Sequence, residues 1–225
     1  MTFPDPRRAG RAEVLAVGSD FRAGTMLEAY AQGIFPWPDA SGTVPWCSML
    51  RRAIFPIEEE PHWSRSLRRT LRATPLVRTI DESFREVVEA CGDERPEARW
   101  IIPSYVEGFC RLHTLGWAHS VEVWETSETG EAKRELVGGI YGVAIGGFFA
   151  GESMFHRRTD ASKIAFATLA HALRASGFEL FDAQVMNPHL RSLGCIEVPR
   201  REYLDRLAHA VAREPLRLAP AGPHR

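Results

Sequence analysis

The spacing of hydrophobic residues along the chain changes repeatedly between a helical period and a strand pattern. Apolar residues that recur every three or four positions, between a capping residue and a glycine, predict helices. These helices span residues 25–32, 64–73, 82–92, 103–116 and 161–176, with a short helix after Asn187 and a last helix that carries Leu204, Leu207 and Val211. Short apolar runs between turn residues predict strands at 76–80, 118–124, 136–145, 148–156, 179–186 and 195–198.

Turn and loop residues indicate how these elements are arranged. Gly146-Gly147 is a tight hairpin signal, so the strands on either side of it are expected to be antiparallel neighbours. The alternation of helices and strands predicts an α/β or α+β class with a mixed sheet. The segment PIEEEP brackets an acidic run with prolines, which predicts a small domain over 1–60 and a larger one over 61–214. The Pro- and Ala-rich tail, 215–225, is expected to fray.

Composition narrows the class of protein. Hydrophobic residues make up 44% and charged residues 25%, which is ordinary for a globular protein. The net charge of -1 argues against a protein that coats nucleic acid or an anionic membrane, although it leaves room for a local basic face. The four cysteines form no C-x-x-C pair, and no apolar run approaches the roughly 20 residues that span a bilayer. We therefore expect a reduced, cytoplasmic protein without a membrane segment.

The strand ELFDAQVM is apolar except for two polar residues in its middle. Because strand side chains alternate, Asp182 and Gln184 are expected to share one face. A buried polar group without a partner costs about 1 to 3 kcal/mol, so each is expected to be hydrogen-bonded or to take part in chemistry. A second carboxylate, Glu152, lies in the apolar strand GESMFH, with Met154 and His156 predicted on its face. A solvated edge strand explains Glu152 alone, but two neighbouring apolar segments that each carry a carboxylate favour a functional site.

Several familiar kinds of site fit these residues poorly. A set of Ser153, His156 and Asp182 lacks the second glycine of a nucleophile elbow, and odd spacing places Ser153 and His156 on opposite faces. The histidines lack metal-ligand spacing, so no metal site is expected. The glycines of VGGIYGVAIGG precede strands rather than a helix, which favours strand packing over a phosphate loop. The connection RRTDASK has none of the glycines with which acetyltransferases bind coenzyme A.

One basic feature stands out in a chain of nearly zero net charge. The arginines of SRSLRRTLR share one face of their predicted helix, and its two leucines lie on the other face. The arginines are Arg65, Arg68, Arg69 and Arg72. A solvated face is the commoner explanation of such a run, but four guanidinium groups on one stripe suit a small phosphate footprint, such as the end of an RNA helix.

Several short motifs, in order along the chain, resemble those of one enzyme family. They are GIFPW (33–37), LVGGIYGV (136–143), GESMF (151–155), ASK (161–163), FDAQV with Asp182 and Gln184, and HLRSLG followed by EVPRR (189–201). Together they resemble the leucyl/phenylalanyl-tRNA-protein transferases from about residue 15 to about residue 207.

The resemblance implies an enzyme that takes Leu or Phe, with Met as a further candidate, from its tRNA. The acceptor would be the α-amino group of a protein that begins with Arg or Lys, which is thereby marked for N-degron degradation. The resemblance also implies a small amino-terminal domain and a larger acetyltransferase-like (GNAT-like) domain, with no cofactor. A monomer is expected.

The resemblance implies roles for residues at matching positions. Asp182 and Gln184 match a proposed relay, and because a carboxamide is a very weak base we expect Gln184 to aim the attacking amine and Asp182 to hold Gln184. Glu152 matches a glutamate near the substrate amino group. The final proton acceptor is left open. The other matching positions are Trp37 and Trp100 at the aminoacyl-adenosine site, and Ile140, Met154, Leu169 and Leu173 in a pocket for an apolar side chain.

Departures from the family pattern and two competing functions remain. WCSMLRR (46–52) stands where members commonly have WWSPDPR, and Leu169 and Leu173 replace aromatic pocket residues, so the preference between Leu and Phe is open. An acetyltransferase-like enzyme with another activated acyl donor would be stabilised by coenzyme A. A non-catalytic tRNA-binding protein would bind charged and uncharged tRNA equally and would tolerate the loss of Asp182.

Overall fold

A computed structural model gives the fold of most of the chain. It describes residues 2–38, 43–58, 63–94, 101–126 and 134–220. Trp100 therefore lies outside the described residues. Within the described ranges, every helix is too short or too polar to cross a membrane.

The described part of the chain contains seven α-helices and ten strands. The helices are α1 (Ala23–Ala31), α2 (Arg65–Ala73), α3 (Phe84–Asp93), α4 (Pro103–Thr114), α5 (Ala161–Ala175), α6 (Pro188–Ser192) and α7 (Arg200–Val211). The strands are β1 (Val14–Val17), β2 (Phe35–Pro36), β3 (Pro45–Cys47), β4 (Arg51–Phe55), β5 (Val77–Ile80), β6 (Ala118–Thr126), β7 (Arg134–Ile145), β8 (Phe148–His156), β9 (Leu180–Gln184) and β10 (Ile196–Pro199). The predicted helices and strands are confirmed, with small shifts at their ends. Strands β1 to β4 were not predicted, because each is two to five residues long and they lie among turn residues.

The strands form two sheets. The small sheet has the order β1-β3-β2 and only antiparallel pairs. The large sheet has the order β10-β4-β9-β8-β7-β6-β5, and it is mixed because β8 and β9 run parallel while every other pair is antiparallel. The hairpin at Gly146-Gly147 is confirmed, since Ile145 pairs with Phe148.

The two sheets divide earlier in the chain than the predicted domain boundary at 56–61. Strand β4 precedes that boundary, yet it lies inside the large sheet between β10 and β9. The division therefore falls between Cys47 and Arg51.

Helices cover both faces of the large sheet. On one face, α1, α3, α4 and α7 form a core cluster that also contains Trp46 of the small sheet. On the other face, α2 and α5 form a second cluster. Adjacent strand residues alternate between the two, as Tyr141 and Ile140 show. Helix α2 buries Leu67 and Leu71 and exposes its arginines, as the sequence predicted.

The parallel strands β8 and β9 are joined by the crossover helix α5. Their pairing begins at Phe148 with Leu180 and ends at Ala150 with Asp182. Both strands continue beyond that point, β8 by six residues, so their carboxyl ends diverge. Ligands of open α/β sheets bind in the crevice at the carboxyl ends of parallel strands. The fold thus directs attention to this divergence.

Candidate active site

A cavity of about 890 Å³ opens where β8 and β9 diverge. The end of β8, residues 151–156, lines one side, and the end of β9 with the residues that follow it, 183–190, lines another. The GIFPW loop contributes Phe35, Pro36 and Trp37. The remaining lining comes from β4, β7, the start of α5 and Glu94.

Asp182 lies behind the wall of this cavity, with both carboxylate oxygens occupied by protein donors. Arg52 donates from Nε to Oδ1 at 2.8 Å and from Nη2 to Oδ2 at 2.6 Å. The Tyr203 hydroxyl donates to Oδ2 at 3.0 Å, and the backbone N–H of Gln184 donates to Oδ1 at 2.9 Å. Asp182 is 0% exposed. The apolar strand therefore buries a carboxylate that is fully paired and hydrogen-bonded.

Arg52 was not predicted as a site residue, although it joins three parts of the site. It is 1% exposed, and its guanidinium lies 4.6 Å from the ring centroids of both Phe35 and Tyr203. Its Nη1 donates to the carbonyl of Gly33 at 3.3 Å. Burial lowers the pKa of Arg52, but Asp182 and Tyr203 outweigh that effect and raise the pKa above its ordinary value. Because strand side chains alternate, one of the adjacent residues Arg51 and Arg52 of β4 is expected to point inward. The sequence does not show which acidic residue it pairs with.

Gln184 ends β9 with a left-handed backbone, at a φ of 55°. Residues other than glycine rarely adopt this conformation, and it concentrates at functional sites. The bond from the Gln184 N–H to Asp182 holds the turn, together with a bond from the Val185 N–H to the Ala183 carbonyl at 2.7 Å. The carboxamide of Gln184 donates from Nε2 to Oε1 of Glu152 at 3.1 Å. Asp182 thus contacts Gln184 through the backbone, and the carboxamide contacts Glu152.

Glu152 lies at a β-bulge in β8. Tyr141 pairs with Ser153, whereas the next residue, Gly142, pairs with Gly151. Glu152 is therefore the extra residue of the bulge, which breaks the alternation of side chains along the strand.

The bulge separates Glu152 from Met154, which simple alternation had placed on one face. Glu152 accepts a hydrogen bond at Oε2 from the Tyr105 hydroxyl of α4 at 2.9 Å. Met154 pairs with Ile140 and packs against the cluster on the α5 side. The predicted shared face is wrong, because one inserted residue reverses the direction of every side chain after it. Both side chains nevertheless line the cavity.

The Glu152 carboxyl group lies deep in the protein, although part of its surface remains open to the cavity. Burial raises the pKa of Glu152 to about 7, even though the Tyr30 and Tyr105 hydroxyls lower it. The charge of Asp182 adds to the rise and that of Arg52 opposes it. A carboxyl group that titrates near neutrality can both accept and release a proton at physiological pH.

Three of the predicted substrate-binding residues, Trp37, Ile140 and Met154, line the cavity together. Trp37 is 40% exposed, and its ring centroid lies 5.9 Å from that of Phe35. A large aromatic face is therefore open to the cavity.

Leu169 and Leu173 are not among the residues that line the cavity. They are 1% and 0% exposed, and they lie within the core cluster on the α5 side. The reason is geometric, because α5 crosses back from the end of β8 to the start of β9 and only its first turns lie near the cavity. Ser162 and Phe166 occupy those turns and line it. Phe166 was not predicted, although it precedes Leu169 by three residues on the same helix face.

The four arginines of α2 border a separate, shallow depression of about 540 Å³. All four side chains are exposed. The structure thus brings Arg65, Arg68, Arg69 and Arg72 together on one surface, apart from the residues that line the cavity.

Two family models cover most of the chain. The model described as Leucyl/phenylalanyl-tRNA protein transferase matches residues 54–208, and the model of the N-terminal domain of the same proteins matches residues 19–48. A protein of Idiomarina loihiensis named leucyl/phenylalanyl-tRNA--protein transferase is 45% identical over 196 residues, which cover 86% of this chain and 80% of that protein. Proteins of the same name from Yersinia pestis and Yersinia pseudotuberculosis are 44% identical over 209 residues, which cover 92% of this chain and 85% of theirs.

These matches, on a mixed α/β fold whose cavity has polar and apolar sides, define the protein as an aminoacyltransferase. The chain belongs to the leucyl/phenylalanyl-tRNA--protein transferase family. The two family models meet between residues 48 and 54, where the two sheets also divide.

Proposed function

We propose that the protein transfers Leu or Phe, with Met as a further candidate, from its tRNA to the α-amino group of proteins that begin with Arg or Lys. The products would enter the N-degron route of degradation. The names of the relatives support a charged tRNA as donor and a protein as acceptor. The observation that carries the proposal is the contact of Gln184 with Glu152 in a cavity that also has an apolar wall.

The apolar wall suits the side chain of the transferred residue. Ile140, Met154 and Phe166 line it, and all three are hydrophobic. Leu, Phe and Met are unbranched at Cβ, so their side chains fit a slot that would clash with Ile or Val near the backbone. The exposed ring of Trp37 suits stacking on the terminal adenine of the tRNA, an interaction worth roughly 1 to 3 kcal/mol.

The charge of the lining supports a basic acceptor. Glu94 and Glu152 are the carboxylates that line the cavity within the described residues, and that lining includes neither lysine nor arginine. Glu94 is paired with Arg157, so an Arg or Lys side chain that enters beside its own α-amino group would meet the Glu152 carboxylate, with no lysine or arginine in the described lining to offset it.

Gln184 is placed to orient the reaction. Its Nε2 is directed to Glu152, which leaves its carbonyl oxygen as the group that can accept an N–H from the attacking amine. Holding the amine against the ester in this way makes the attack effectively intramolecular, which is the main requirement of ester aminolysis.

The topology supports an acetyltransferase-like core for the larger domain, without its usual cofactor. The parallel pair β8 and β9, joined by α5, occupies the centre of a mixed sheet. Coenzyme A binds such a core through its pyrophosphate at the start of the crossover helix. Here that position is held by Asp160, whose carboxylate pairs with Lys163 at 2.7 Å and would repel a pyrophosphate.

The test is transfer of labelled Leu and Phe from charged tRNA to a peptide that begins with Arg. We expect the wild type to label this peptide but not a peptide whose α-amino group is acetylated. Gln184→Ala should lose nearly all of the transfer activity. The matched control is Gln32→Ala, which removes a glutamine that does not line the cavity.

The same assay separates the two alternatives. If the protein is folded, both tRNAs stay charged and no peptide is labelled, the proposed function is wrong. Thermal stabilisation by coenzyme A would then favour another acyl donor. Equal affinity for charged and uncharged tRNA would instead favour a binding protein.

A further inference from the structure

We propose that Glu152 is the catalytic base of this transfer, which takes a proton from the attacking α-amino group and returns it to the departing ribose oxygen. The inference rests on the proposed function and supplies the proton acceptor that the function requires.

The contacts of Asp182 exclude it from this role. Asp182 is 0% exposed and is not among the residues that line the cavity, whereas Glu152 is. The two carboxylate oxygens of Asp182 already accept bonds from Arg52, Tyr203 and the Gln184 backbone. An incoming amine therefore has no access to the carboxylate. Asp182 is a positioning residue, which holds the backbone turn that presents the Gln184 carboxamide to the cavity.

Glu152 is the basic group next to that carboxamide. The titratable side chains in the described lining are Glu94, Glu152, His156 and His189. Of these, Glu152 is hydrogen-bonded to Gln184. Glu94, which follows α3, is held in an ion pair at 2.7 Å by Arg157, the residue after β8. An amine aimed by the Gln184 oxygen would thus approach Glu152 first.

Six polar groups from five elements face Glu152. They are Tyr30 of α1, Tyr105 of α4, Tyr141 of β7, Arg52 of β4, and Asp182 and Gln184 of β9. Burial raises the pKa of each of the three tyrosines well above the ordinary value, so they stay neutral. Arg52 stays charged in its pair with Asp182. Glu152 is therefore the member of this cluster that changes its protonation near neutral pH.

The step balances without a further reactant. The amine nitrogen forms a bond to the ester carbonyl carbon, and the bond from that carbon to the ribose oxygen breaks. The amine loses one proton to Glu152, and the ribose oxygen gains one from it. The attacking amine is the neutral form. The pKa of Glu152, about 7, lies close to the value of roughly 7.7 to 8.0 for a free α-ammonium group, so ionised Glu152 and neutral amine coexist near neutral pH.

The first test is the single-turnover rate of transfer to an Arg peptide as a function of pH. The wild-type rate is expected to rise through an inflection near pH 7, as Glu152 loses its proton. Glu152→Gln should lose that inflection, should keep only the rise from deprotonation of the peptide amine at roughly pH 7.7 to 8.0, and should be slower by roughly 10²- to 10⁴-fold. Its affinity for charged tRNA should match that of the wild type.

A second variant separates Glu152 from other groups that titrate nearby. The Tyr105 hydrogen bond lowers the pKa of Glu152, so Tyr105→Phe should move the inflection to higher pH. The amine of the peptide would not respond to that change. The controls His156→Gln and His189→Gln remove the histidines of the cavity and should leave the inflection in place.

The outcomes that overturn the inference are specific. Glu152 is not the base if Glu152→Gln keeps the wild-type rate and inflection, or if its loss lies wholly in affinity for charged tRNA. If Glu152→Gln does not fold, an unshifted inflection in Tyr105→Phe decides against the inference. A wild type that transfers nothing refutes the proposed function instead.

Discussion

Arg52 is the residue on which the geometry of the cavity depends most. It pairs with Asp182, lies between two aromatic rings and bonds the GIFPW loop at Gly33. Gly33 has a φ of 76°, and a Cβ there would lie 2.7 Å from a Leu204 side-chain carbon, so the loop needs glycine at this point. A buried ion pair adds little net stability by itself, but removing one partner leaves an uncompensated charge.

Asp182→Ala should therefore lower the free energy of unfolding by about 3 to 5 kcal/mol, because it strands the Arg52 guanidinium. Gln184→Ala should lower it by less, about 1 to 2 kcal/mol, because it removes one hydrogen bond and leaves no unpaired charge, and it should still abolish transfer. Urea unfolding followed by circular dichroism measures both. Equal stability of Asp182→Ala and the wild type would show that the ion pair does not organise the site.

Glu152 should destabilise the protein at the pH where it works. Its folded pKa, about 7, lies above the ordinary 4.5, so the ionised form is the costly one. Below pH 4.5 the carboxyl group is protonated in both the folded and the unfolded state, so its ionisation costs no stability. Above pH 7 it is ionised in both states, and the full cost is present. Glu152→Gln should therefore be more stable than the wild type at pH 8 by about 1 to 3 kcal/mol, and the difference should shrink toward pH 5. A difference that urea unfolding finds independent of pH would contradict the raised pKa.

At the scale of elements, periodicity identified the helices and strands after residue 60 but not their local interruptions. The period of the apolar residues along a segment shows whether a helix or a strand buries one face, and it can be read from that segment alone. The bulge at Glu152 and the left-handed turn at Gln184 break strand alternation at two points that face one cavity. Gly151 precedes the bulge, and an isolated glycine in a strand is compatible with a bulge or with close packing, whereas no glycine or proline marks the turn at Gln184. Tyr105 of α4 bonds Glu152 at the bulge, and the turn is held by Asp182, whose own partner Arg52 lies on β4.

Helix α2 is the element to test for contact with tRNA. Arg68→Glu and Arg69→Glu should weaken tRNA binding and reduce its dependence on salt. Each contact between an arginine and a phosphate releases counterions from the RNA, so a variant with fewer contacts releases fewer of them. The matched control is Arg201→Glu, an exposed arginine on α7, which covers the opposite face of the sheet. Equilibrium binding across a series of salt concentrations gives both quantities. Equal effects of the three variants would mean that α2 is only a solvated face.

At the scale of the whole molecule, the two sheets share one core. The cluster on the α1 side contains Trp46 and Phe35 of the small sheet together with Tyr141 and Tyr203 of the larger unit. The cavity is also shared, since Trp37 lines it opposite the end of β8. Neither sheet can therefore bury its apolar surface or complete the site alone.

The chain should consequently unfold in one cooperative transition. Urea curves from tryptophan fluorescence and from far-ultraviolet circular dichroism should coincide, as they do for a two-state protein. Two separated transitions would show that the small sheet unfolds independently of the larger one.

Hydrophobic spacing and turn residues were sufficient for the α/β class, the hairpin at Gly146-Gly147 and the suspicion that Asp182, Gln184 and Glu152 form a site. These conclusions depend on neighbours in the chain and on the cost of burying a polar group. The partner of Asp182 required the folded protein, because Arg52 lies 130 residues away and an ion pair has no sequence signature. The folded protein was also needed to show that Phe166, and not Leu169, lines the cavity, because this depends on how α5 packs against the sheet. The contact of Glu152 with Tyr105 likewise depends on how α4 packs against it.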